Sequence, residues 1–236
     1  MTAPADDLVA ANRVLAAEGI LDGWGHVSVR HPADPGRYLL ARGRAPALVV
    51  AEDVLEFDLD SRPLGPTEAR LYSERFIHGE IYRARPDVQA VVHHHAPSVI
   101  PFGVAGVPLR PLYHMSGFIG EGVPVFEIRD AAGGPTDMLI RTAELGRALA
   151  ATLGSRPAAL MRGHGAVVVG GSLGQAVGRS IYLELNARLQ AQLAALGGVP
   201  RYLDPEESRL TTAMLGGYDR GWELWRRQGH DERRLP

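Results

Sequence analysis

Apolar and polar positions alternate between helical and strand spacing along the chain, with proline and glycine between the segments. Helical spacing predicts an opening helix over Asp6–Glu18. Short apolar stretches predict strands over Val27–Arg30, Arg37–Ala41 and Asp53–Asp58, which would form a meander. The chain contains no repeat and no low-complexity linker. This order of segments predicts an α/β fold.

A helix and a buried strand are predicted in the middle of the chain. The apolar positions of the segment ERFIHGEIYRA are Phe76, Ile77, Ile81 and Tyr82. This spacing predicts a helix that Ser73 caps and Pro86 ends, with Glu74 in its first turn. The β-branched residues of Asp87–Val92 then predict a buried strand, which leads into three consecutive histidines.

These histidines have distinct directions on a strand. Successive side chains alternate faces, so His93 and His95 are expected on one side and His94 on the other. Two imidazoles that project together can place neutral nitrogens about 2.0–2.1 Å from a zinc-like ion. A cluster of histidines without a ligand role is the alternative. A third ligand would decide between the two interpretations.

His164 is the candidate third ligand. It lies in the segment ALMRGHGAVVVGG, where glycines interrupt a strand-like run and would bring the backbone close around this histidine. Glu74, one helix before the histidine strand, could bind a metal or transfer a proton, although a solvated glutamate is the simpler interpretation for it alone. The other histidines have no comparable spacing and are read as structural or surface residues: His26, His31, His78, His114 and His230.

Composition narrows the chemistry further. A length of 236 residues with 45% hydrophobic and 22% charged residues predicts one domain over 1–236. The net charge of -2 and scattered arginines argue against nucleic acid as a partner. The sequence shows neither a leader nor an apolar run that could span a membrane, so we expect a cytoplasmic protein that binds no membrane.

Two residue types are missing altogether. The chain has no cysteine, so disulfides and thiolate ligands are excluded and any metal must use nitrogen and oxygen ligands. All 25 basic residues are arginine, which excludes lysine Schiff bases and lysine-anchored pyridoxal phosphate. No phosphate-binding GxxxxGK[ST] loop or GxGxxG fingerprint is present either.

Three segments carry a family resemblance: GHVSVR, SERFIHGEIYRARPDVQAVVHHHAPS and LMRGHGAVVVGGSLGQAV. Together they resemble the enzymatic branch of the class II aldolase/adducin family. The resemblance implies a three-layer αβα fold with a central, mostly antiparallel sheet. It also implies one divalent metal ion per subunit, held by His93, His95 and His164, with Glu74 as catalytic acid/base. Zinc is the expected ion, with manganese, cobalt or iron as alternatives. A cyclic homotetramer with active sites between adjacent subunits is implied as well.

The chain departs from the sugar-phosphate enzymes of the family where those enzymes hold phosphate. His26 replaces an asparagine, Arg42 a small hydroxyl residue and Tyr72 a serine, whereas Ser73 is kept. The GHVS form, together with PLYHMSGFIGEGVPVF, is similar to branches that decarboxylate hydroxylated aromatic acids of the dihydroxyphthalate type. We therefore expect Arg42 and His26 to orient a substrate carboxylate, because an arginine can bind a carboxylate through two hydrogen bonds.

Further substrate contacts are expected from His114 and Tyr218. Tyr218, Trp222 and Trp225 could close a neighbouring subunit's pocket, or pack as an ordinary terminal helix on their own core. Two other functions stay open: an aldolase or epimerase that acts on a small phosphorylated sugar, and a non-catalytic or redox-repurposed member of the family. The expected reaction is metal-dependent decarboxylation, with Glu74 mediating protonation of the ring carbon.

Overall fold

The structure is a computed structural model that describes residues 4–231. The two ends of the domain predicted over 1–236, residues 1–3 and 232–236, lie outside the described residues. The helices are α1 (Pro4–Ala17), α2 (Phe76–Ala84), α3 (Ile100–Val104), α4 (Ile128–Ala132), α5 (Ala143–Leu153), α6 (Leu173–Leu196), α7 (Pro205–Leu215) and α8 (Asp219–His230). The strands are β1 (His26–Arg30), β2 (Arg37–Ala41), β3 (Val54–Asp58), β4 (Ala90–His94), β5 (Val125–Phe126), β6 (Ala158–Met161) and β7 (Gly165–Gly170). Three short 3-10 helices cover Pro46–Leu48, Ala51–Asp53 and His114–Ile119.

The described strands form one sheet in the order β3-β2-β1-β4-β7-β6-β5. Every pair is antiparallel except β5 with β6. The predicted meander of the first three strands is therefore confirmed. In the register of β1 with β4, His26 lies directly opposite His93. These two side chains consequently project from the same face of the sheet.

Each face of the sheet is covered by helices, because β4 is apolar on both sides. Ala90 and Val92 belong to a core cluster that includes residues of α1, α6 and α8. Val91 belongs to a second cluster that includes residues of α2 and α5. This is the three-layer αβα arrangement with a mostly antiparallel sheet that the resemblance implies.

Two details differ from the sequence-based expectation or refine it. Helix α2 begins at Phe76, and Ser73 does not cap it, so the predicted N-cap is wrong. Residues 73–75 form a turn instead, which places Glu74 before the helix rather than in its first turn. The strand β4 ends at His94, so His95 continues the alternation just beyond the last paired residue.

The C-terminal aromatic residues pack on their own chain. Tyr218 and Trp225 are buried in the core cluster that includes α1 and α6. Trp222 packs so closely over Gly174 that a Cβ atom there would lie 2.7 Å from the indole ring. These contacts match the interpretation of α8 as an ordinary terminal helix. Among residues 4–231, no helix is both long enough and apolar enough to cross a membrane.

Candidate metal centre

The end of β4 places two imidazoles on the face of the sheet that α2 covers. The Nε2 atoms of His93 and His95 lie 3.2 Å apart. His94 is also buried, and it hydrogen-bonds to the amide of Ala96 through Nδ1. The predicted alternation of the three histidines is confirmed.

His164 reaches the same point from the turn between β6 and β7. Its Nε2 lies 3.1 Å from Nε2 of His95. Two glycines shape this turn: Gly163 has a φ of +63°, and a Cβ atom on Gly165 would lie 2.0 Å from the carbonyl oxygen of His94. A side chain at either position would displace the turn. The predicted close backbone approach around His164 is therefore confirmed.

Glu74 completes the cluster from the turn before α2. Its Oε1 accepts a hydrogen bond of 2.9 Å from the amide of Ile140, which fixes the carboxylate. Its Oε2 lies 3.6 Å from Nε2 of both His93 and His164. One ligand atom from each of Glu74, His93, His95 and His164 lies within 4.8 Å of the others. These are the four residues that the sequence suggested.

The three histidines share one arrangement, in which Nδ1 faces an acceptor oxygen and Nε2 faces the cluster. The acceptors are the carbonyl oxygen of Ala166 for His93 at 3.1 Å, Oδ2 of Asp22 for His95 at 3.0 Å, and the carbonyl oxygen of Met138 for His164 at 2.9 Å. Such acceptors place the proton on Nδ1 and leave the Nε2 lone pair for a ligand.

The donor set fits a divalent metal ion. Imidazole nitrogens bound tetrahedrally to zinc at about 2.0–2.1 Å would lie roughly 3.3–3.4 Å from one another. The Nε2 separations of 3.1 and 3.2 Å are close to that spacing. Three neutral imidazoles and one carboxylate are also ligands that zinc, manganese, cobalt and iron accept. The four residues could therefore hold one such ion.

Protonation states at neutral pH suit metal binding. Burial raises the pKa of Glu74, but the hydrogen bond and charge of His93, the charge of His164 and the amide of Ile140 outweigh it and lower the pKa to about 2. Burial, together with the charge of His93, lowers the pKa of His164 to about 4. The same causes lower the pKa of His95, against the opposing effect of Asp22. The carboxylate is therefore ionised while these two imidazoles are neutral.

A pocket of about 850 Å³ opens beside the cluster, and Glu74 and His95 form part of its wall. Three of the predicted substrate-contacting residues, His26, Tyr72 and Ser73, line it. Tyr72 is fixed by a hydrogen bond from its hydroxyl to the carbonyl oxygen of Arg44. Burial raises the pKa of Tyr72 to about 12, so the phenol is neutral.

Arginine guanidinium groups surround this pocket. Arg44, Arg70 and Arg141 all line it, and Glu74 is the one acidic side chain among the described lining residues. Arg44 pairs with Asp53 at 3.2 Å and Arg141 with Asp137 at 2.9 Å. These guanidinium groups favour an anionic ligand.

The remaining predicted contacts lie elsewhere in this chain. Arg42 is not among the pocket-lining residues, and its Nε forms a 2.6 Å ion pair with Asp53. His114 is exposed at the start of a 3-10 helix. Tyr218 is buried in the core, with its hydroxyl 3.3 Å from the carbonyl oxygen of Met115. Contacts of these three residues with substrate stay predictions.

Sequence reasoning missed the residues that support the cluster from outside. Asp22 lies in the glycine-rich loop just before β1, and Trp24 in the same loop is 71% exposed at the pocket. No spacing rule connects Asp22 to a histidine 73 positions later. An acidic residue three positions before the glycine of the GHVS motif was the signal in the sequence.

Comparison with known proteins agrees with the fold and the cluster. The sequence profile described as Class II Aldolase and Adducin N-terminal domain matches residues 6–191, and the chain belongs to this family, in its enzymatic branch. It is 37% identical to Decarboxylase tropJ of Talaromyces stipitatus, over 95% of this chain and 93% of the relative. It is 34% identical to 3,4-dihydroxyphthalate decarboxylase of Arthrobacter keyseri, over 94% of this chain and 90% of the relative.

A solved structure in the same family is similar over nearly the whole chain. L-fuculose 1-phosphate aldolase from Glaciozyma antarctica superposes with a TM-score of 0.78 and 25% identity, over 95% of this chain and 87% of the aldolase. The fold is thus shared with enzymes named as aldolases, whereas the similar sequences at 34–37% identity are named as decarboxylases. The chain is an enzyme, and decarboxylase is favoured over aldolase.

Proposed function

We propose that this protein is a divalent-metal-dependent lyase that decarboxylates a hydroxylated aromatic carboxylic acid of the dihydroxyphthalate type. The observation behind the proposal is the four-residue cluster of Glu74, His93, His95 and His164 beside a pocket lined with arginines. The names and the identities of the similar decarboxylases support the same reaction.

In this proposal His93, His95 and His164 hold the ion through Nε2, and zinc is the preferred ion over manganese, cobalt or iron. A bound divalent ion supplies Lewis-acid stabilisation of the negative charge that develops when the carbon–carbon bond breaks. The acceptors on Nδ1 keep the three imidazoles oriented, with Nε2 left for the ion.

Glu74 moves the proton in this account. Because its low pKa makes it a carboxylate in the resting enzyme, it must first accept a proton, and the phenol of the substrate is the available source. As carbon dioxide leaves, the electron pair of the broken bond remains on the ring carbon. Glu74 then returns the proton to that carbon. The product is left as the phenolate and regains its phenolic proton from water, so the reaction takes up one proton overall. The protein forms no covalent bond to substrate.

The pocket residues bind and orient the substrate. Arg44, Arg70 and Arg141 offer guanidinium groups to a carboxylate away from the reacting centre, with Arg42 as the contact predicted from sequence. His26, Tyr72 and Ser73 line the same pocket. His114 and Tyr218 would contact substrate only through a different subunit, since neither lines the pocket within this chain.

The proposal includes a cytoplasmic homotetramer of single-domain subunits, with active sites between adjacent subunits, as the family resemblance implies. Sedimentation velocity at concentrations down to those used for assays tests this part. A monomer with full activity would contradict it.

Product analysis tests the reaction. Metal-loaded protein is incubated separately with a dihydroxyphthalate and with a ketose 1-phosphate. We expect carbon dioxide and the monocarboxylate from the first, with loss of activity on chelation and recovery on adding metal. Aldehyde release from the ketose phosphate without carbon dioxide from the aromatic acid would favour the aldolase alternative.

A further inference from the structure

Four buried polar side chains connect the pocket with the layer between the sheet and α2. His26 and Ser28 are two residues apart on one face of β1, and His78 and Tyr82 are four residues apart on one face of α2. These four side chains are at most 2% exposed. They are distinct from the four residues of the metal cluster.

The side chains form one continuous hydrogen-bonded chain. His26 Nδ1 lies 2.7 Å from His78 Nε2, His78 Nδ1 lies 2.6 Å from Ser28 Oγ, and Ser28 Oγ lies 2.8 Å from the hydroxyl of Tyr82. Burial lowers the pKa of His78 to about 3, so this imidazole is neutral and carries one proton. A neutral imidazole donates from one nitrogen and accepts at the other. His78 therefore donates to one of its two neighbours, His26 and Ser28, and accepts from the other.

The Tyr82 end sets that direction. A phenol is a better donor than an aliphatic hydroxyl, and the side chain in reach of the Tyr82 hydroxyl is Ser28. Burial raises the pKa of Tyr82, so the phenol keeps its proton. Ser28 is the one partner of this hydroxyl among the described side chains, so a donation from Ser28 would leave the buried phenol proton without an acceptor. The proton of Tyr82 is therefore directed to Ser28.

The remaining protons follow from this first donation. Ser28 donates to Nδ1 of His78, and His78 donates from Nε2 to Nδ1 of His26. His26 then carries its proton on Nε2, the nitrogen left for the pocket that this residue lines. Its ring centroid lies 5.1 Å from that of His93, directly across the paired strands. A donor at this point faces the space beside the metal cluster.

We propose that Tyr82, Ser28 and His78 form a positioning relay that holds His26 as the Nε2–H tautomer, and that this N–H donates a hydrogen bond to an anionic oxygen of the substrate. The second clause rests on the proposed function, whereas the first concerns the protein alone. A carboxylate or phenolate oxygen can only accept, so the opposite tautomer would present a repelling lone pair to it. The relay therefore selects for anionic substrates at the reacting end of the pocket.

Nuclear magnetic resonance of the zinc-loaded protein tests the tautomer directly. The protein is labelled with ¹⁵N at its nine histidines, and His26→Gln and His78→Gln samples assign the two signals. We expect the proton of both imidazoles on Nε2. Protonation of His26 on Nδ1 with a bare Nε2 would overturn the relay. Tyr82→Phe tests the direction of the donations, because it removes the first donor. This variant should populate the Nδ1–H tautomer of His26.

Tyr38→Phe is the matched control for Tyr82→Phe. The ring of Tyr38 lies 5.4 Å from that of Tyr82, but its buried hydroxyl bonds to Ser61 and stays outside the relay. Its loss should leave the tautomer of His26 unchanged. An equal effect of the two variants would show a general packing response and would overturn the assigned role of Tyr82.

Kinetics tests the contact with substrate. Glutamine can place an amide N–H near the position of Nε2, whereas asparagine places one near Nδ1. We expect His26→Asn to lower kcat/KM by about 10- to 100-fold, with metal content unchanged, and His26→Gln to recover part of the loss. Equal activity of the two variants would overturn the substrate contact. An Nε2–H tautomer in a protein that releases no carbon dioxide would refute the proposed function and leave the relay standing. A protein that releases carbon dioxide but carries the proton of His26 on Nδ1 would refute the relay and leave the proposed function standing.

Discussion

Asp22 offers a test of the metal centre that leaves all four candidate ligands in place. His93 and His164 are held by backbone carbonyl oxygens, so Asp22 is the one acceptor behind the three imidazoles that a substitution can remove. Asp22→Asn is the suitable change. Its remaining oxygen can still accept from the amides of Trp24 at 2.8 Å and Gly25 at 3.0 Å, which preserves the loop.

The expected loss follows from the contact with His95. Removing the partner of a metal-bound histidine weakens metal affinity by about 10- to 100-fold, or about 1.4–2.7 kcal/mol. The side chain of Asp22 is 48% exposed, so water can replace part of the contact at 3.0 Å. We therefore expect a loss near 10-fold. Competition with a chromophoric chelator for zinc measures the affinity, and circular dichroism confirms that the fold is intact.

Asp34→Asn is the control for this measurement. Asp34 also accepts from a loop amide, that of Gly36 at 2.9 Å, and pairs with Arg37 at 2.7 Å. It does not belong to the metal cluster or the pocket wall. Its substitution should leave zinc affinity at the wild-type value. Unchanged affinity in Asp22→Asn, or an equal loss in both variants, would refute the reasoning about His95.

Three further predictions use other parts of the site. Alanine at His93, His95 or His164 should abolish stoichiometric metal binding, as measured by elemental analysis. Alanine at His94 should not, because this side chain faces the opposite side of the sheet. The reverse result would contradict the assigned ligands. Burial lowers the pKa of His94 to about 3, so this imidazole stays neutral in the folded state but gains a proton below pH 6.5 in the unfolded state, and stability falls as pH falls. In metal-free protein, His94→Asn should reduce the slope of the unfolding free energy against pH by about 1.4 kcal/mol per pH unit. An unchanged slope in urea titrations between pH 6 and pH 4.5 would argue against this prediction. Arg44→Ala should lower kcat/KM for an aromatic dicarboxylate by about 10- to 100-fold, and more than Arg42→Ala, because Arg44 lines the pocket; a larger effect of Arg42→Ala would restore the contact predicted from sequence.

The metal cluster was accessible from sequence because strand alternation is a local rule. The β-branched residues before His93 fix the strand, and the strand fixes which imidazoles share a side. The glycines around His164 likewise indicate a close backbone approach. Family resemblance then supplied the link between these two separate segments and Glu74.

The surroundings of the cluster depend on tertiary contacts that no local rule encodes. Arg42 and Arg44 are two positions apart in one loop, and both pair with Asp53, yet only Arg44 lines the pocket. The direction of each side chain depends on how that loop packs. In the same way, His78 looked like an isolated helical histidine until the sheet brought His26 and Ser28 against it.

The turn before α2 shows a conflict between local and tertiary preferences. Serine is a favourable N-cap, and the sequence places Ser73 at a suitable distance from the apolar run. In the structure the carboxylate of Glu74 instead binds the amide of Ile140 and approaches the histidines. The helix begins later, at Phe76, because residues 73–75 form the turn that places Glu74 at the metal cluster.

The most direct test of the account combines metal content and carbon dioxide release in the same samples of wild type and Glu74→Gln. Each is loaded with zinc, analysed for bound metal and given a dihydroxyphthalate labelled with ¹³C in its carboxylates. The account predicts about one ion per subunit in the wild type and labelled carbon dioxide from it. For Glu74→Gln, which keeps the three imidazoles, it predicts bound zinc with release slowed by about 10²–10⁴-fold. Unchanged release from Glu74→Gln, or none from metal-loaded wild type, would contradict it.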